Sequence, residues 1–388
     1  MRRLALFSAL GAGVWWSPHG VLADDPALRR EGGRWVQTVE GTETIPAGVG
    51  LRVNTYGPVK VTGGAAGGSL GYTVDVSVKT GGEAEARRML RGYEVRVSRR
   101  EGWVVVTVPR GPGAAAMTLR VPRGLREAAI ATGDGPVQVD AIDCPLRADS
   151  GAGPIKIGRA AGDCRLTTGG GEISVGSVEG NLRATTAGGP ITARTIRGEA
   201  TLETGGGDIV ADEVGGVVRA ATAGGAVRIG NAGASVVAST GGGPIVVQHA
   251  RGVVTARNAA GPVQVGAAAG VRCEAATGAI RLNNISGAMR VSTAMGNIMA
   301  QLMAGQLAES FLATGNGDIT IVIPSNLGVT IRAENEMADS IQRIISDFPG
   351  IPVRVQGTQV VAEGAINGGG PLLRISGTGG TIFIKRQQ

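Results

Sequence analysis

The side chains able to do covalent or acid–base chemistry are few, and their spacing limits what they can do. Ser69 lies in GGSLG (67–71), a G-x-S-x-G pattern, and His249 follows it in the order of a hydrolase triad. That chemistry needs a base within hydrogen-bond reach and a strand–turn–helix setting. Glycine makes up 67 of the 388 residues, so the pattern arises cheaply, and no crossover helices flank it. A hairpin loop is the expected role of Ser69. The other histidine, His19, lies in the N-terminal segment.

Two acids invite a second test. Glu172 and Asp208 stand 36 residues apart, each just before an apolar residue that follows a glycine cluster. Paired carboxylates can act as acid and base on a glycosidic bond. The equivalent positions around them are Pro136, Pro154, Pro190, Ala226 and Pro244, so no acidic cluster or sugar platform supports the pair. Cys144, Cys164 and Cys273 fit no metal-ligand spacing and are read as small core or turn residues rather than a disulfide. The glycine runs precede strands rather than helix N-termini, and no G-x-x-x-x-G-K-[ST] occurs, so they do not cradle phosphate. No catalytic, cofactor-binding or metal-ligating set is expected.

The remaining feature is basic. Arg147, Arg165 and Arg183 are 18 residues apart, and Arg219 falls in the same column after Thr201. If the chain coils with that period, these side chains point outward and stack about 4.8 Å apart. Like charges so close repel, and an anionic partner would relieve them. The alternative is a solvated face with Asp163 and Glu179 as counter-ions.

A period of 18 does run through the chain. The apolar residues after the glycine clusters are Val137, Ile155, Ile173, Ile191, Ile209, Val227, Ile245 and Val263, each 18 after the last. The series continues less regularly through Ile280, Ile298 and Ile319, with a late member at Ile382. Five residues before each of the first eight stands Thr132, Ser150, Thr168, Thr186, Thr204, Thr222, Thr240 or Asn258. Each unit holds two short alternating runs separated by turn residues. That is one coil of a parallel β-solenoid, with glycine at its corners for positive φ and close backbone approach. The fold class expected is therefore all-β, a parallel β-solenoid (β-helix) of ten to twelve coils. A left-handed hexapeptide helix ranks second, because no apolar residue recurs every six positions. A narrow interior of aliphatic side chains explains the 3% aromatic content.

Outside the register, residues 24–128 read as an N-terminal β-rich cap. It holds strands such as YTVDVSVK and WVVVTVP and a helix candidate at 83–90. The solenoid occupies 129–323. Residues 324–388 are expected to hold an amphipathic helix, EMADSIQRIISDF (336–348), and a closing coil. Residues 1–23 carry Arg2, Arg3, an apolar core and a VLA end, the pattern of a signal peptide. Its removal takes the formal charge from +7 to +5. No second long apolar segment follows, so the mature chain is expected to be exported without a membrane span, to the periplasm, cell surface or medium. A weakly basic exported protein favours anionic polysaccharide or envelope surfaces. Scarce aromatics and the lack of a long basic run exclude nucleic acid.

TIPAGVGLRVNTYGPVKVTG (44–63), LRVPRG (119–124), the recurrent T-x-G-x-x-I and the closing INGGGPLLRISGTGGTIFIK together resemble the bacterial putative-adhesin family. The resemblance spans about residues 40–386. It implies an exported β-strand-repeat solenoid, an adhesive or structural envelope role, and no catalytic residues. A lyase or hydrolase acting on polysaccharide is the alternative that the same scaffold allows.

Overall fold

The structure is a computed structural model describing residues 28–387 apart from 92, 304, 306 and 337–342. The signal-peptide expectation for 1–23 lies outside the described residues. The chain folds as an all-β parallel solenoid with two sheets. One coil shows the logic. Strand Ile155–Ala160 runs along the first sheet and strand Cys164–Thr168 along the second, with short turns between. Ile155, Ile157, Ala160, Cys164, Leu166 and Thr168 point inward and are buried. The next coil repeats this in parallel register, Ile155 against Ile173 and Cys164 against Leu182. Eleven successive coils run from Ala128 to Ile323, a stack of roughly 50 Å at about 4.8 Å per coil.

Two columns at one turn hold the coils together. The Thr168 hydroxyl donates to the Gly153 carbonyl of the coil before (2.8 Å) and accepts from the Gly171 amide (3.2 Å). Thr186, Thr204, Thr222 and Thr240 repeat the arrangement, and Asn258 replaces the hydroxyl with its amide. The ladder satisfies turn N–H and C=O groups that would otherwise be buried without partners. The glycines beside it are there for closeness. A Cβ on Gly171, Gly189, Gly207, Gly225 or Gly243 would sit 2.1 to 2.3 Å from the carbonyl oxygen of the glycine one coil back. Positive φ was the other expected reason, and it is corrected here: no glycine from Gly133 to Gly270 has it. In this turn column it enters where the turn shortens, at Gly278, Gly296, Gly317 and Gly380.

Both ends depart from chain order. Strands Gly50–Thr55 and Val59–Ala65 form a coil inserted between Trp103–Thr107 with Ala114–Pro122 on one side and the Ala128–Ile142 coil on the other. Antiparallel strands Arg34–Thr44, Ser69–Val78 and Arg96–Arg100 then cover the outer edges, and helix Glu83–Leu90 buries Ala86 and Leu90 against them. At the other end, Leu372–Gly379 and Ile382–Arg386 insert between the Ser310–Ile323 coil and strands Val329–Asn335 and Ile344–Ser346. Gln359–Ile366 pairs antiparallel with Val329–Asn335 and shields that edge. Paired or covered edges prevent strand addition from outside.

The helix expected over 336–348 is corrected where it can be seen. Ile344–Ser346 is a strand, parallel to Ile382–Arg386, with Ile344 buried and Ile345 exposed. The inserted terminal strand offers an open edge there, and its ladder outweighs the helical spacing of the apolar residues. The rest of that expectation, 337–342, lies outside the described residues.

Candidate functional site

The arginine column forms as the period requires. In the second sheet Arg147 lies beside Arg165, Arg165 beside Arg183, and Thr201 separates Arg183 from Arg219. Their inward neighbours Leu146, Ala148, Leu166 and Ala184 are buried, so alternation turns all four guanidiniums to solvent. Arg147, Arg165 and Arg183 line a groove of about 790 Å3 with Asp163, Glu199 and Thr201. Its far end is closed by Trp103, which the sequence did not point to. Gly50 lies opposite Trp103, and a Cβ there would come within 2.6 Å of the indole, so glycine lets the ring lie flat on the next coil. Arg52 and Arg126 approach that ring at 4.8 and 5.2 Å, two cation–π contacts. Arg52 belongs to the same column, one coil beyond Ala129.

The counter-ions are other than expected. Arg147 is held by Asp149 (2.7 Å), Arg183 by Glu203 (3.4 Å) and Arg219 by Glu199 (3.0 Å). Glu179 instead pairs with Arg197 (2.6 Å), and Asp163 accepts the Asn181 backbone amide (2.7 Å). Asp149 and Glu203 lie in the outward column two residues along, while Glu199 reaches Arg219 from the turn column that also holds Asp163 and Asn181. The hydrogen bond from Arg147 to Asp149 raises the guanidinium pKa. Arg165 has no carboxylate within ion-pair distance among the described residues. These pairs are exposed and screened by water, so they open readily to a competing anion.

The other reactive groups do not assemble. Ser69 starts an antiparallel strand in the N-terminal region, and His249 is exposed on strand Ile245–Ala250. That strand lies seven coils beyond Val59–Ala65, which at about 4.8 Å per coil is more than 30 Å from the neighbourhood of Ser69. Glu172 and Asp208 are exposed turn residues with Pro190 between them. The Ala226 amide and then Arg228 hold the Asp208 carboxyl below the usual carboxylate range, the reverse of what a general acid needs. Cys144, Cys164 and Cys273 are free and buried. Burial pushes the thiols up, to about 11 for Cys144 and about 12 for the other two, so they are poor nucleophiles. Among the described residues no three His, Cys, Asp or Glu side chains gather as metal ligands, and no helix is long and apolar enough to cross a membrane.

No protein-family model matches the sequence, and no curated protein matches it. Its structural neighbours are bacterial proteins described as putative adhesins. One is a "putative cell adhesion protein" from Clostridium sporogenes, at 9% identity and TM-score 0.18, with 90% of this chain and 100% of that one covered. A "putative adhesin" from Parabacteroides merdae aligns at 10% identity and TM-score 0.27, covering 74% of this chain and 96% of that one. Another from Bacteroides fragilis stands at 11% identity and TM-score 0.17, covering 90% and 97%. The strand register of this chain, rather than those scores, establishes that it is a β-solenoid.

Proposed function

We propose that this protein is an exported, non-enzymatic solenoid that binds an anionic polysaccharide or envelope surface through the outward face of its second sheet. The observation that carries the reading is the alignment of Arg147, Arg165, Arg183 and Arg219 on one line of that sheet, the first three lining a groove that ends at Trp103. Regularly spaced guanidiniums suit a polymer with regularly spaced charges, since each can form a forked hydrogen bond to a carboxylate or sulfate. Residues 24–128 and 324–388 serve as caps that keep the coils of 129–323 from pairing edge to edge. The reading as a polysaccharide lyase or hydrolase gains nothing from Glu172 and Asp208, since the Ala226 amide and Arg228 hold Asp208 ionised and Pro190 stands between the two.

The test is an array of glycans and envelope polymers probed with the full chain and with an Arg147→Ala/Arg165→Ala/Arg183→Ala variant. Binding of acidic polymers that the variant loses supports the proposal. Unchanged binding refutes the arginine face, and cleavage of any arrayed glycan refutes the non-enzymatic role.

A further inference from the structure

The arginine column does not stop at Arg219. Following the pairing coil by coil, Arg219 lies beside Val237, then Thr255, Arg272, Arg290, Phe311, Arg374 and Arg332. A second basic cluster therefore occupies the other end of the same sheet face. Arg272, Arg290 and Arg374 are exposed, and Phe311 lies half-exposed between the last two. With Thr255 and Glu309 they line a groove of about 750 Å3.

This cluster differs from the first in its charge balance. Arg147 finds Asp149 two residues along, but the same position beside Arg290 is Ser292 and beside Arg374 is Ser376. Beside Arg272 it is Glu274, which is turned to Arg257 (3.5 Å). Arg272, Arg290 and Arg374 thus have no carboxylate within ion-pair distance among the described residues. Arg332, held by Glu334 (2.6 Å) and Glu363 (3.1 Å), ends the row. Arg272 and Arg290 stand on adjacent strands, about 4.8 Å apart, where like charges repel unless an anion lies between them.

We propose that Arg272, Arg290, Phe311 and Arg374 form a second binding site, for a linear glycan carrying a carboxylate on successive sugars. The coil spacing is comparable to the length of a sugar residue, so neighbouring guanidiniums meet neighbouring carboxylates. Phe311 offers its ring to a sugar face between Arg290 and Arg374. The site stands apart from the Arg147–Arg219 face and takes its ligand whether or not that face does.

The test is fluorescence anisotropy of labelled polygalacturonate oligomers with the full-length mature chain. Arg272→Ala/Arg290→Ala/Arg374→Ala should weaken binding roughly 10- to 100-fold, the loss of three exposed charge-assisted contacts. A charge-matched control, Arg194→Ala/Arg251→Ala/Arg281→Ala on the other sheet and its turn, should change it less than about twofold. Phe311→Ala should weaken polygalacturonate and leave inorganic polyphosphate unchanged. Equal losses in the two triple variants would mean a diffuse field and would overturn the site. Equal effects of Phe311→Ala on both polymers would overturn the glycan. Binding abolished by the Arg147/Arg165/Arg183 variant but untouched by the Arg272 triple would refute this site and leave the first intact. The opposite result would refute the first and keep this one.

Discussion

The glycine run Gly205–Gly207 allows the stacking argument to be tested within three residues. A Cβ on Gly207 would lie 2.2 Å from the Gly189 carbonyl oxygen, about 1.2 Å short of ordinary contact at 3.4 Å. A Cβ on Gly206 would meet nothing nearer than 3.8 Å. Neither residue has positive φ, so alanine is conformationally acceptable at both. Gly206→Ala should therefore be neutral or stabilise by about 0.4–1 kcal/mol, since it removes freedom from the unfolded chain. Gly207→Ala must push two coils apart by about an ångström. The Ile191 amide bonds the Asp208 carbonyl at 2.9 Å just beside it, and the Thr204 hydroxyl bonds Gly189 at 2.8 Å. Stretching both past hydrogen-bonding range, at about 1 kcal/mol net each, and overpacking by a methyl at about 1–3 kcal/mol gives a loss near 3–5 kcal/mol. Urea unfolding followed by circular dichroism, with amide exchange in the flanking coils, separates the two variants. Equal stability of Gly206→Ala and Gly207→Ala would refute the claim that these glycines exist for close approach.

The remaining expectations use the same interior. Thr204→Val keeps the shape but orphans the Gly189 carbonyl and the Gly207 amide, and should cost about 2–4 kcal/mol by urea unfolding, whereas Thr204→Ser should cost far less. A valine as stable as the serine would remove the hydroxyl ladder from the account. The three thiols should resist a thiol-reactive dye in the folded chain at pH 8 and react together in denaturant. Because folding raises their pKa values to about 11 and 12, their contribution is intact below the unfolded value near 9 and is lost as pH climbs toward the folded values. Stability that rises over that alkaline range on account of the cysteines, judged against a Cys→Ala triple variant, would contradict the burial argument.

Sequence alone determined the repeat. Eight apolar residues in register and a Thr/Ser/Asn column five before them define two strands per coil, because hydrogen-bonded coils of equal length must place equal residues one above another. The same arithmetic found Arg147, Arg165, Arg183 and Arg219. It identified the threonine column without its role, since a hydroxyl that bonds the previous coil and its own turn is visible only once both are in place. Only the tertiary structure joined Arg52, Arg272, Arg290 and Arg374 to the row. Arg272 comes 17 residues after Thr255, and Phe311 comes 21 after Arg290, so the count slips where a turn is shortened or lengthened. Turns outside the strand pairing can gain or lose residues, as between Thr255 and Arg272 and between Arg290 and Phe311, while the strands stay aligned by their backbone bonds. The end coils follow the same rule more strongly: Gly50–Ala65 and Leu372–Arg386 are placed out of chain order by which strand edge each covers, and no period along the chain records that choice.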